Sequence, residues 1–254
     1  MALDRPNEPE RPVGTEDAEM AWGSDVVAEL VRRLDLPYIA MVPGASYRGF
    51  QDSLVNYLGN RDPQMLVCLH EEHCVAIAHG YAKVTDKPMA AAVHSNVGLM
   101  HATMAIFDAW CDRAPVMVFG ATGPVDAALR RPWIDWIHTS RDQGALVRDY
   151  VKWDDQPASP EAAIESVLRA NRIMRRQPQG PVYVVLDVAM QHETDDVGDA
   201  VRHQPRDARL VHRVRLRAQV AQQPVGVAVE AGVIGVRLHR GHRVKDAAAH
   251  NVLQ

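Results

Sequence analysis

Five short apolar runs, each separated from the next by a longer segment, most constrain the fold of this 254-residue chain. Strands that are apolar on both faces are typical of parallel sheets, because the connecting helices cover such sheets from both sides. We therefore predict an α/β fold with a doubly wound, mostly parallel sheet and helices on both faces. The runs are YIAMVP from Tyr38, MLVCL from Met65, PMAAAVH from Pro88, APVMVFG from Ala114 and GPVYVVLDV from Gly180.

Capping residues and apolar spacing predict the helices between these runs. Ser24 or Asp25 is expected to cap the first helix, and Ser159 the last. Another helix is predicted from Glu71 to Lys83. In the helix GLMHATMAIFDAW, the larger apolar residues are expected to form the buried side: Met100, Met104, Phe107 and Trp110.

Composition divides the chain into three parts. Residues 1–20 are acidic and proline-rich and lack an apolar signal-peptide core, so we expect a disordered leader. Residues 21–190 carry the alternating pattern and are expected to form the folded domain. Residues 191–254 contain no aromatic residue and hold six of the twelve histidines. We interpret this low-complexity tail as a segment outside the fold, and hypothesise an out-of-frame product of a GC-rich gene; a basic interaction tail is the alternative.

Charge and cysteine usage limit the class of protein. The net charge of −4 gives no reason to expect nucleic acid or an anionic membrane as a partner, and no apolar run approaches the roughly 20 residues that span a bilayer. Cys68, Cys74 and Cys111 show no CxxC spacing, which favours a reducing compartment over a disulfide framework. We expect a cytoplasmic protein.

Four turns are the expected location of a ligand site, because ligands of open parallel sheets bind beyond the carboxyl ends of the strands. The turns are Pro43 to Ser46, His70 to Glu72, His94 to Gly98, and Gly120 to Gly123.

The segment HEEHCVAIAHGYAKVT, from His70 to Thr85, admits more than one interpretation. A zinc-binding helix needs histidines at i and i+4, whereas His70 and His73 are three apart and no third ligand follows, so no metal site is predicted. Alternatively, Glu71 and Glu72 simply favour the positive end of a helix dipole.

Several motifs occur together in an order that resembles the pyrimidine-binding domain of thiamine diphosphate enzymes, the group of acetolactate synthase and benzoylformate decarboxylase. The resemblance extends from Trp22 to Met190. The motifs are VPGA at 42–45, HE at 70–71, GYA at 80–82, HSNVG at 94–98 and DAWCDRAPVMVFG at 108–120.

The resemblance implies roles for particular residues. Glu71 occupies the position of the family's catalytic glutamate, whose carboxylate contacts the cofactor's pyrimidine nitrogen and promotes the imino tautomer of the 4′-amino group. His94 resembles the decarboxylase histidine that relays protons to and from the substrate. The remaining cofactor-binding positions that the resemblance implies are Pro43, Gly44, Ala45, Ser95 and Gly98.

The same resemblance implies what a complete enzyme needs. Family members bind the diphosphate through Mg2+, using Gly-Asp-Gly and a later Asn, a motif with no counterpart in this sequence. We therefore expect Mg2+ only through a missing or separate domain, little activity of the chain alone, and a homo-oligomer or a separate diphosphate-binding subunit as partner.

The expected activity is decarboxylation or carboligation of a 2-oxo acid. Two positions depart from the family: Ala45 replaces a serine of some decarboxylases, and GATGP at 120–124 replaces the synthases' Gly-Gln pair. The alternative function is a non-catalytic dimerisation or regulatory module with the same fold. Trp133, Trp136, Arg130 and Arg131 remain ambiguous between an interface, a solvated turn and a substrate contact.

Overall fold

The computed structural model describes residues 18–194, and its centre is a parallel sheet of six strands. The spatial order is β2-β1-β3-β4-β6-β5, and every neighbouring pair is parallel, which confirms the predicted fold class. The strands are β1 (Tyr38–Met41), β2 (Gln64–Val67), β3 (Met89–Ala92), β4 (Val116–Thr122), β5 (Asp154–Asp155) and β6 (Val182–Asp187).

Helices connect these strands. The short helix α2 is extended by a 3-10 turn at Ala45–Tyr47 and a π turn at Ser53–Tyr57. Between β4 and β5 the chain forms only short 3-10 turns instead of a crossover helix. The helices are α1 (Gly23–Arg33), α2 (Arg48–Asp52), α3 (Glu71–Thr85), α4 (Ser95–Cys111), α5 (Pro160–Arg175) and α6 (Val188–Gln191).

Two apolar cores lie on opposite faces of the sheet. On one face α1, α2 and α5 pack over strand residues such as Met117 and Leu186. On the other face α3 and α4 pack over residues such as Val118 and Val185. Alternate residues of one strand thus enter different cores, as a sheet covered on both sides requires.

The strand order reverses direction at β1 and β3. From β1 the chain first adds β2 on one side, and then returns to add β3 on the other. Such a switch point leaves a crevice at the carboxyl ends of the two strands, where ligands of doubly wound folds bind. The residues that immediately follow β1 and β3 therefore decide what this fold can bind.

The first helix begins earlier than predicted, while two other helix starts are confirmed. Neither Ser24 nor Asp25 is the N-cap of α1, because both lie in its buried first turn and Trp22 precedes the helix. The Asp25 carboxylate instead accepts hydrogen bonds from the backbone N–H groups of Ala21 and Trp22, at 2.9 and 3.0 Å. Ser159 caps α5 as predicted, and α3 begins at Glu71.

The prediction for the buried side of α4 is wrong. Met100, Met104, Phe107 and Trp110 are 56, 54, 42 and 38% exposed. The face that meets the sheet and α3 consists mostly of small residues, which allow two helices to approach closely. It contains Gly98, Leu99, Ala102, Ala105, Ile106 and Ala109.

Other expectations fall partly outside the described residues. Most of the leader (1–17) and nearly all of the C-terminal segment (195–254) belong to the part of the chain that the structure does not describe, so both stay predictions. Within 18–194, no helix is long and apolar enough to cross a membrane.

Candidate active site

Gly44 and His94 meet at the switch point. Gly44 follows β1, and His94 is the residue before α4. A Cβ atom added to Gly44 would lie only 2.1 Å from Cδ2 of His94 and 2.5 Å from Cγ. Since real Cβ atoms do not approach other atoms so closely, the histidine ring occupies the space that the glycine leaves.

Hydrogen bonds from the next turn orient the His94 ring. Its Nε2 lies 3.2 Å from Oγ of Ser46 and 3.4 Å from the Ser46 backbone nitrogen. Because the backbone N–H can only donate, Nε2 acts as the acceptor, which assigns the proton of the neutral ring to Nδ1. The Tyr47 ring packs edge-on at 5.9 Å between centroids.

The surroundings of His94 favour its neutral form. Burial lowers the pKa of His94, and the nearby His138 lowers it further, while the carboxylate of Glu71 acts in the opposite direction. A neutral imidazole with one donor and one acceptor nitrogen can both give and take a proton, as a relay requires.

Glu71 is the first residue of α3, at the carboxyl end of β2. Its side chain is partly buried against the first turn of α4, where a Cβ on Gly98 would lie 2.8 Å from Oε1 and 3.0 Å from Cγ. The absence of a side chain at Gly98 therefore gives the carboxylate its position. The dipole at the α3 N-terminus stabilises a negative charge there.

A chain of histidines supports the start of α3. His70 is the N-cap residue, and its Nδ1 accepts a hydrogen bond from the Glu72 N–H at 3.3 Å. Its Nε2 lies 3.0 Å from Nδ1 of His101 on α4, and the His73 ring lies 5.5 Å away. Among the described residues, no group of three or more potential ligands is placed to hold a metal ion, and the absence of a metal site stays a prediction.

The other predicted positions differ in how they are exposed. Pro43 and Ala45 are exposed on either side of the half-buried Gly44, and Gly98 is buried. Ser95 is fully buried and has a positive φ of 49°, which is uncommon for a residue with a side chain. Strained backbone of this kind is concentrated at functional sites.

His138 was missed by the sequence analysis. Its ring packs against that of His94 with 4.8 Å between centroids, and its Nδ1 is buried without a hydrogen-bond partner. The residue belongs to the irregular segment after β4, where no periodicity draws attention to it. The backbone N–H of Gly123, at the end of β4, donates to the His138 carbonyl at 3.2 Å and fixes its position.

An ion pair holds the same segment. Arg131 donates to Asp135 through Nη2 at 2.8 Å and through its backbone N–H at 2.7 Å. Asp135 is only 1% exposed, and the Arg131 guanidinium holds its pKa below the usual range. Trp133 and Trp136 are exposed, and the Arg131 guanidinium lies 5.6 Å from the Trp133 ring.

A cleft of about 370 Å3 lies elsewhere, between α1, α2 and α6. It is bordered by residues such as Trp22, Asp52 and Tyr57, and by none of the predicted site residues. The candidate site is therefore defined by the ends of four adjacent strands: Glu71 after β2, Gly44 after β1, His94 after β3 and His138 beside β4.

Comparison with known proteins relates the folded part of the chain to one family. Residues 21–146 match the family described as thiamine pyrophosphate enzyme, N-terminal TPP binding domain. The chain is 27% identical over 161 residues to the "Probable 2-ketoarginine decarboxylase" of Pseudomonas aeruginosa, covering 63% of this chain and 27% of that protein. It is 32% identical over 104 residues to the acetolactate synthase large subunit of Lactococcus lactis, covering 41 and 18%.

The crystal structure of benzoylformate decarboxylase from Polynucleobacter necessarius has the same fold. Its TM-score is 0.61 at 23% identity, over 78% of this chain and 36% of that one. These findings confirm the resemblance: the chain carries the N-terminal domain of the thiamine pyrophosphate-dependent enzyme family. It spans only 27 and 18% of the length of the two curated relatives named above.

Proposed function

We propose that this domain binds the aminopyrimidine ring of thiamine diphosphate in an enzyme that decarboxylates or ligates 2-oxo acids. The observation that carries the proposal is the carboxylate of Glu71, set against Gly98 at the same sheet edge as the Gly44–His94 pair. The curated relatives include a 2-ketoarginine decarboxylase and an acetolactate synthase, which supports the 2-oxo acid as the class of substrate.

The residues of the site fit this cofactor. When bound, thiamine diphosphate supplies a nucleophilic carbon and an electron sink for bond cleavage next to a carbonyl group. Glu71 offers an acceptor for a ring N–H at the end of a helix, and Gly98 leaves room beside it. Pro43, Gly44 and Ala45 present backbone at the crevice, where a flat ring can approach closely.

His94 is proposed to move protons at the substrate. Its Nε2 is occupied by Ser46, so Nδ1 carries the proton of the neutral ring and is the atom that can donate. Burial keeps the ring neutral near pH 7 by lowering its pKa. A neutral ring that takes up a proton at Nε2 as it gives one away from Nδ1 can protonate a carbon or oxygen of the substrate and stay neutral.

The exposed stripe of α4 supports a partner chain. Val97, Met100, Met104 and Phe107 are all more than 40% exposed, at spacings that align them on one side of the helix. Val97 lies in the first turn of α4, so the stripe begins beside the site. We propose that a second subunit of the enzyme docks here, because exposed apolar patches of this kind mark interaction surfaces.

Thiamine diphosphate binding by the full chain tests the proposal, with Glu71→Gln compared with Glu72→Gln. With saturating Mg2+, titration calorimetry measures the affinity if binding is tight, and NMR shift mapping measures it if binding is weak. We expect E71Q to weaken binding at least tenfold, because the amide is a poorer acceptor for the ring N–H. E72Q, one residue further along the helix, should bind like the wild type. Equal binding by the wild type and E71Q would sink the proposal.

The alternative, a non-catalytic module, depended on a solvent-exposed Glu71. The side chain is instead partly buried against α4, so no observation favours this alternative. A cytoplasmic location remains part of the proposal, supported by the three free thiols of Cys68, Cys74 and Cys111.

A further inference from the structure

The imidazole of His138 has an unused nitrogen in a buried position. Its Nδ1 is shielded from solvent and has no hydrogen-bond partner. Buried polar atoms without partners are rare, because each has lost its hydrogen bonds to water and gained none in exchange. Such an atom beside a candidate active site points to a partner that arrives with a ligand.

The segment that carries His138 is rigidly attached to the sheet. Its carbonyl is bonded to the Gly123 N–H at the end of β4. The hydroxyl of the adjacent Thr139 donates to the Asp135 carbonyl at 2.7 Å, and a Cβ on Gly123 would lie 2.5 Å from that hydroxyl. These contacts fix the backbone that carries the imidazole, which suits a residue that orients a ligand.

The imidazole rings of His94 and His138 differ in their hydrogen-bond partners. His94 directs Nε2 to Ser46, so this nitrogen is not free for a ligand. The His138 ring meets the His94 ring at 73° with 4.8 Å between centroids, and contributes the unpartnered Nδ1. Of these two adjacent imidazoles, only His138 has a buried nitrogen without a partner.

We propose that His138 is a substrate-contacting residue, whose Nδ1 hydrogen-bonds the carboxylate of the 2-oxo acid beside His94. This inference rests on the proposed function, from which the class of substrate is taken. A carboxylate accepts hydrogen bonds from imidazole N–H groups, and its negative charge favours the protonated form of a neighbouring imidazole. Burial and the nearby His138 lower the pKa of His94, so a bound carboxylate should shift that pKa upward.

NMR titration of the histidine side chains in the full chain tests the inference. Benzoylformate and pyruvate are the probes, with saturating thiamine diphosphate and Mg2+, and the methyl ester of benzoylformate is the control without a charge. We expect one of the acids to move the resonances of His94 and His138 together and to raise the pKa of His94. The ester should do neither. Resonances of His138 that do not respond to either acid overturn the inference.

Two substitutions separate binding from packing. His138→Phe keeps the ring volume and removes both nitrogens, so we expect acid affinity to fall at least tenfold with an unchanged urea midpoint. His138→Gln keeps a polar group and should retain part of the affinity, which a packing role does not explain. It also serves as the second variant if H138F fails to fold. His79→Phe, at a histidine paired with Asp112 on the surface, is the matched control.

The outcomes distinguish this inference from the proposed function. If E71Q weakens thiamine diphosphate binding but H138F binds the acid as tightly as the wild type, only the role of His138 is wrong. If E71Q binds the cofactor normally, the proposed function fails, and the assignment of a substrate carboxylate to His138 fails with it.

Discussion

Replacing Gly44 with alanine tests the central contact of the site. The new Cβ would lie 2.1, 2.5 and 2.9 Å from three atoms of His94, so the ring must move by at least about 1.3 Å to reach an ordinary contact distance. Overpacking of this kind costs roughly 1–3 kcal/mol. A displaced ring also loses its hydrogen bonds to Ser46, which adds about 0.5–1.5 kcal/mol.

A smaller opposing effect comes from the unfolded state. Gly44 has φ −162° and ψ 149°, extended backbone that alanine adopts without strain. Alanine therefore stabilises by about 0.4–1 kcal/mol through the lower entropy of the unfolded chain. The net expectation for Gly44→Ala is a loss of about 1–4 kcal/mol. With a urea m-value of about 2 kcal/mol/M, the midpoint should fall by roughly 0.5–2 M.

Equilibrium urea unfolding of four proteins measures the effect: wild type, G44A, H94A and the double variant. Without the ring, the new methyl group meets only the Cβ that alanine retains at position 94, at 2.9 Å, so G44A should cost about 1 kcal/mol or less in the H94A background. Gly80→Ala is the matched control, because its Cβ meets nothing within 4 Å on the exposed side of α3. It should stabilise by about 0.5–1 kcal/mol. An equal cost of G44A with and without His94 refutes the reasoning.

Two further predictions concern the loop after β4 and the face of α4. Asp135→Asn should lower stability by about 1.5–3 kcal/mol at pH 7, since the carboxylate accepts three charge-assisted hydrogen bonds from Arg131. Folding lowers the pKa of Asp135. The difference in unfolding free energy between wild type and D135N should therefore be complete above about pH 4, and it should vanish as the pH falls through the folded-state pKa. Urea unfolding at pH 7, 5 and 3 checks this trend. Met104→Gln should leave the free energy of unfolding within about 0.5 kcal/mol while lowering association in sedimentation velocity, whereas Met117→Ala, in the core, should cost about 2–5 kcal/mol. Unchanged association of M104Q would argue against a docking surface on α4.

The sheet and part of its site were predictable because the spacing and number of apolar residues along the chain indicate which segments are buried. The apolar runs at 38–43 and 88–94 gave the strands that meet at the switch point, and the rule for parallel sheets directed attention to Gly44 and His94. Strand β5 was not predictable, because its two residues are aspartates with no apolar signal. The order of the strands in the sheet could not be predicted either, because the periodicity of a segment describes that segment alone and not its neighbours in space.

The error on α4 has a clear physical origin. Large apolar residues are expected to be buried, but the closest helix packing is made by residues with the smallest side chains. Ala102 and Ala105 therefore face α3 and the sheet, while Met104 and Phe107 point outward. His138 illustrates a different limit: an unpartnered nitrogen is a property of three-dimensional surroundings, and no spacing of residues along the chain reveals it.

The arrangement of the site across four strand ends has a consequence for how the protein acquires its binding capacity. Parallel strands pair only after the chain has crossed over between them, so these contacts are non-local and form slowly compared with helices. No short fragment contains Glu71, Gly44 and His94 in their final arrangement, since each follows a different strand. Ligand affinity at this edge should therefore appear only late in refolding, after β2, β1 and β3 have paired, and can serve as a reporter of the completed sheet.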